Sequence, residues 1–176
     1  MGTADCLYFA RESKNIHIPR CTDRDLLISK LCALRSFFAQ CGWGRIVYHF
    51  ESFNTIPSAV TADTEKDLKY TLISFEVQNC CEAEAWSAKC PNQASANPTC
   101  ICMSGYIAGW LTYAFGTQMV VSEVTCSAMD HDHCSFVAAI PSRIKTLSTD
   151  YVSEKKMPFK SAIHLEKYLK HVTFAQ

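Results

Sequence analysis

The sequence predicts an α/β domain of the α+β kind, an antiparallel sheet with helices packed on one face. Three observations point there. Two stretches carry apolar residues at helical spacing, around Leu27–Phe38 and between Thr99 and Phe115. Four short runs rich in β-branched and aromatic residues are separated by turn-forming segments. Cys100, Glu123, Cys126 and Cys134 then tie the second helix to the last hairpin as a candidate structural zinc site.

The elements follow in order. Residues 1–21 read as a leader, and Thr22-Asp23 can cap a helix that runs to about Gln40, with Leu27, Leu31, Leu34 and Phe38 on its inner face. Cys41-Gly42-Trp43-Gly44 ends it, and Arg45–Phe50 alternates as a strand. Residues 51–65 read as loop. Tyr70–Val77 is the next strand and Cys81–Ala88 a short helix. The Pro- and Asn-bearing segment 89–98 is loop. Thr99–Phe115 is a helix closed by Gly116 as the residue after its last turn. Met119–Ser127 and Cys134–Ile140 form a hairpin across the polar turn 129–133. Residues 142–158 read as a linker and Lys160–His171 as a final helix, so the expected domain is 22–141 with a C-terminal extension, 142–176.

Composition narrows the function. At 176 residues, 48% apolar and 19% charged, the chain has the makings of one sizeable core. Its 17 basic and 17 acidic residues cancel and no basic block stands out, which argues against direct nucleic-acid binding. No run of 18 apolar residues is present, so no transmembrane segment is expected. Eleven cysteines, an odd number, without a secretory signal pattern, fit a reducing, cytoplasmic setting better than a disulfide scaffold. Nucleophile-elbow, phosphate-loop and dinucleotide fingerprints are missing, so no catalytic residue is assigned.

The spacing C-x22-E-x2-C-x7-C sets three thiolates and one carboxylate on separate elements. Such a set suits tetrahedral Zn²⁺ and, filling all four positions, leaves no site for a catalytic water. The other reading is buried cysteines beside a surface glutamate. Glu123 and Cys126 are three apart, which in a regular strand places them on opposite faces, so a shared ion requires a bulge near Thr125. His131 and His133 in the turn are either solvated or substitutes for Glu123. Cys102 lies about 200° around the helix from Cys100 and cannot share its ion.

The same segment carries C-x4-G-Y-x2-G over residues 100–109, G-x6-E-x2-C over 116–126 and C-x-F over 134–136, with N-C-C-E-A-E-A-W upstream at 79–86. In these motifs it resembles the 4-vinyl reductase domain family, also found in the sensor modules of aromatic-responsive bacterial activators. The resemblance is specific over residues 75–140 and compatible over 22–74. It implies that Cys100, Glu123, Cys126 and Cys134 bind zinc. It implies too a small-molecule-binding domain, commonly dimeric, that holds an apolar or aromatic ligand. The fold is related to that of TRAPP-type tethering subunits. The aromatic-sensing relatives orient a phenolic hydroxyl with a His and a Trp.

The candidate ligand residues are His49, Phe75, Val77, Tyr106 and Trp110, which combine aromatic walls with a few polar groups. No Trp adjoins Val77. For each the alternative is an ordinary core or edge position. Gly105 and Gly109 share a helix face, where close packing on the sheet explains them. Glu82 and Glu84 are too far apart around a helix to form one acid–base centre, and one of them is expected to serve structure at the pocket rim. Cys80-Cys81 has nothing near it in sequence to activate a thiol. The expected function is therefore a zinc-stabilised sensor, carrier or adaptor. The alternatives are a tetrapyrrole-related reductase or accessory protein and a tethering subunit.

Overall fold

The computed structural model describes residues 24–57 and 64–154. The leader, the cap at Thr22-Asp23 and the helix expected at 160–171 lie outside the described residues. Helix α1 (Arg24–Cys41) buries Leu27, Leu31, Leu34 and Phe38 along one stripe, as their spacing dictates. Strand β1 (Arg45–Tyr48) leads into a one-turn helix, α2 (Phe50–Asn54), and a second short helix, α3 (Thr64–Asp67), precedes β2 (Ile73–Gln78). Then come α4 (Cys81–Lys89), α5 (Ile101–Phe115), β3 (Val120–Thr125), a 3-10 turn (Ser127–Met129), β4 (Cys134–Ala139) and α6 (Pro141–Glu154).

The four strands form one antiparallel sheet in the order β1-β2-β4-β3. Alternation sends Ile46, Ile73, Phe75, Val77, Val121, Phe136 and Ala138 into the main core under α1 and α5. Gly44 sits at φ +132 where β1 begins, and a Cβ there would stand 2.7 Å from Val77 Cγ1. Only glycine lets the two strands approach so closely.

Three expectations are corrected, the first being that the helices pack on one face of the sheet: α6 covers the face opposite α1 and α5. The stretch 142–158, read as a linker, holds α6: Pro141 occupies the first helical position, and Ile144, Ser148 and Tyr151 recur at helical spacing with their side chains buried. With Val124, Val137 and Ala139 they make a second, smaller core on the sheet face opposite α1 and α5. The loop expected over 51–65 contains the turn of α2 and the start of α3. Ser52 and Thr55 from α2 bond to the backbone of Ser74 and Leu72.

Candidate metal centre

Cys100 is the residue immediately before α5, and no side-chain bond caps the helix there, so its thiol is free of that duty. The first turn of α5 is satisfied from elsewhere. Glu82 of α4 accepts the Cys102 and Met103 N–H groups at 3.1 and 2.9 Å, and Glu123 of β3 accepts the Cys100 N–H at 3.1 Å. Both carboxylates also lie at the positive end of the helix dipole. Glu82 thus fills the structural role expected of one glutamate in its pair.

Strand β3 is bulged. Glu123 pairs with Phe136 while Thr125 pairs with Ser135, so Val124 is the extra residue. The bulge stands where the Glu123–Cys126 spacing requires it, and Thr125 Oγ1 pins it by donating to His133 O and accepting from Ser135 N–H. Cys126 therefore faces the same side as Glu123, and Cys134 follows on the returning strand, beside Val77.

The donor atoms of Cys100, Glu123, Cys126 and Cys134 all lie within 4.8 Å of one another, and all four residues are buried. The Cys100 sulfur is 4.0 Å from that of Cys126 and 3.7 Å from that of Cys134. Two sulfurs on a tetrahedral zinc, each about 2.3 Å from it, stand about 3.8 Å apart. With Glu123 Oε2 taken by the Cys100 N–H, its Oε1 is buried and has no hydrogen-bond partner among the described residues. An orphaned carboxylate oxygen beside three sulfurs is costly unless a cation completes it.

Electrostatics lead to the same place. Burial, and then the adjacent Cys126, push the Glu123 carboxyl up to about 9. Cys126, Cys134 and Cys80, with burial, push the Cys100 thiol up. Each anion here penalises the next, and a dication removes that penalty. These residues fit a zinc ion, which would join α5 to the β3–β4 hairpin and supply structure. Thr99 Oγ1 lies 3.3 Å from the Cys126 sulfur, and the Ser127 N–H donates to the Cys134 sulfur at 3.4 Å, so the outer contacts of two thiolates are also in place.

Cys80 carried no signal in the sequence, because its neighbour lies twenty positions away. It is buried before α4, with its sulfur 3.2 Å from that of Cys100 and 3.7 Å from Met103 Sδ. Contacts with Cys100 and Cys134 pull its thiol down to about 4.

Phe75, Val77 and Tyr106 share the main core, and Trp110 packs against it. Tyr106 and Trp110 meet Phe37 at ring centroid distances of 5.6 and 6.2 Å, and Trp43 stands edge-on to Tyr106. The Trp110 indole N–H is buried and has no partner among the described residues. His49 is not brought to these rings. It lies with Glu76, which faces the other side of the sheet, its Nε2 3.5 Å from Glu76 Oε1, and His133 Nε2 approaches the same oxygen at 3.3 Å. His133 is therefore a partner of Glu76. Gly105 is exposed, with nothing within 4 Å of where a Cβ would stand, so the Gly105–Gly109 pair is not explained by packing on the sheet.

The profile of the 4-vinyl reductase domain family matches residues 73–140, a span from β2 to the end of β4 that contains the whole donor set. Residues 73–140 are a 4-vinyl reductase domain. The fold is similar to that in the crystal structure of the phenol-responsive sensory domain of the transcription activator PoxR with phenol. The TM-score is 0.56 at 16% identity, over 86% of this chain and 67% of that one. No curated protein matches this chain. Among the described residues, no helix is long and apolar enough to cross a membrane.

Proposed function

We propose that this 4-vinyl reductase domain is a small-molecule sensor whose fold is held by one structural zinc on Cys100, Glu123, Cys126 and Cys134. The convergence of three buried thiols with the orphaned Glu123 Oε1 carries the zinc reading. A zinc there fastens the start of α5 to the hairpin and performs no chemistry on a substrate.

The ligand belongs at the middle of α5. Among the described residues the buried indole N–H of Trp110 is a donor without an acceptor, set among the rings of Phe37 and Tyr106. An aromatic molecule bearing one oxygen acceptor would satisfy both features, with Phe75 and Val77 deeper in the same core. The phenol-bound sensory domain of similar fold supports that ligand class. His49, turned toward Glu76, has no part in this site. The nine described cysteines are all free thiols, which fits a cytoplasmic setting, and the family resemblance supports a homodimer.

Native mass spectrometry of protein purified without added metal or ligand tests the reading. One zinc per chain and an aromatic adduct lost on denaturation are expected. Trp110→Phe should retain the zinc and lose the adduct. A chain without zinc overturns the structural centre, and equal ligand binding by Trp110→Phe overturns the placement of the ligand.

A further inference from the structure

The four donors are sealed. Cys100, Cys126 and Cys134 are fully buried and Glu123 is 8% exposed, so an ion needs a route in. A crevice lined by Cys100 and Glu123 offers only about 10 Å³. A wider approach exists on the other side. An open cleft of about 660 Å³ lies between β2, α4 and the β3–β4 turn. Its lining includes the carboxylates of Glu76, Glu84 and Asp132 with His133 and, among the described residues, no lysine or arginine.

This cleft meets the centre at two points. Cys80 lines it and has its sulfur 3.2 Å from that of Cys100. Ser127 lines it and donates its N–H to the Cys134 sulfur. Cys80 lies outside the set of four whose donor atoms converge, yet touches one of them. A cysteine sulfur in that position can reach an ion without having a permanent place in the tetrahedron.

Resting on the zinc reading above, we propose that Cys80 is a transient fifth ligand and that the acidic cleft is the port through which a divalent cation reaches and leaves the buried centre. The carboxylates concentrate cations at the mouth. Cys80 binds the arriving ion as a thiolate, its proton passing to the water of the cleft. Zinc tolerates five ligands in passing. As Cys100, Cys134, Cys126 and Glu123 close around the ion, each would release the proton it carries to the water of the cleft, the bond to Cys80 would break and its sulfur would take one proton back. Departure runs in reverse, with Cys80 displacing one of the four ligands so that no bare ion crosses the apolar core.

The test follows zinc transfer from the full chain to an excess of a chromophoric chelator, and zinc uptake by the metal-free chain, by stopped flow. Cys80→Ser should hold one zinc per chain at equilibrium and exchange it at least about tenfold more slowly, the scale on which residues around a metal site act. Glu84→Gln with Asp132→Asn should slow uptake several-fold at low salt, with the difference vanishing at high salt. Exchange by Cys80→Ser at the wild-type rate overturns the proposal. So does loss of zinc from it at equilibrium, which would make Cys80 a permanent ligand. If Cys80→Ser does not fold, the surface double variant decides, and unchanged uptake overturns the port. Wild-type protein that binds no zinc refutes the centre itself, a result distinguishable from any of these.

Discussion

The two halves of α5 are held by opposite kinds of force. Its first turn is fixed by directional contacts: Glu82 and Glu123 on backbone N–H groups and the Cys100 thiol among other sulfurs. Beyond that turn it is fixed by rings, with Tyr106 and Trp110 against Phe37 and with Trp43 and Phe38 close by. Donor geometry tolerates little change, since distances and charge must all match one ion. Ring packing is non-directional by comparison and adapts to a change in volume at moderate cost. The first half is accordingly suited to anchoring and the second to admitting a ligand.

The sharpest test of that contrast is Cys126→Ala. It should release the metal and destabilise the domain by more than about 4 kcal/mol, because the binding energy of a structural metal is folding energy. Metal analysis and denaturant melts check this, and unchanged metal content with unchanged melting would erase the distinction between the halves. Phe38→Ala, at a fully buried position of the ring cluster, should cost about 3 kcal/mol and leave metal content at the wild-type level. If chelator destabilises that variant as much as it does the wild type, the two halves contribute independently.

Tyr48→Phe comes next, at about 1 kcal/mol, since its hydroxyl donates to Leu31 O across β1 and α1. Burial first, and then Cys32, hold the Tyr48 phenol above its ordinary 10. The unfolded chain loses this proton near pH 10 while the folded chain keeps it. The contribution is therefore complete below pH 10 and is lost as pH rises above it. Tyr48→Phe should show a shallower alkaline fall in stability than the wild type, measured by melts at stepped pH. The smallest effect is a gain. Gly105→Ala, on the open face of α5, should add about 0.5 kcal/mol in the same melts, as helix propensity gives with no clash to oppose it. A loss there would mean that the face is covered in solution.

The donor set at the start of α5 was legible in the sequence through its resemblance to the 4-vinyl reductase family, since its spacing alone left buried cysteines as an equal reading. Cys100, Glu123, Cys126 and Cys134 stand at intervals that demand a bulge, and the bulge is present at Val124. The helix over 101–115 and the four strands followed from periodicity. Other features carried no local signal. Cys80 meets Cys100 only through the fold, and Glu82 caps a helix other than its own. Helix α6 was obscured by Ser142, Thr146, Ser148, Thr149 and Ser153, weak helix formers that gain their place by covering the far side of the sheet. His49 reads as a ligand residue in a strand, yet the chain turns at that point into α2 and sends the ring to Glu76. Tertiary partners settle such positions, and one-dimensional spacing does not contain them.

One consequence lies in the length of α5. Trp110 is ten residues from Cys100, about 15 Å along the axis at the helical rise. With the proposed zinc in place, a helix clamped at its first turn and packed against rings farther along would be a lever with a fixed fulcrum. A molecule wedged beside Trp110 cannot slide the helix along its axis. It would instead tilt the far end, where Leu111, Ala114 and Phe115 are packed in the main core. The proposed zinc would then do more than hold the fold together, since it would set the centre about which a ligand-driven displacement turns.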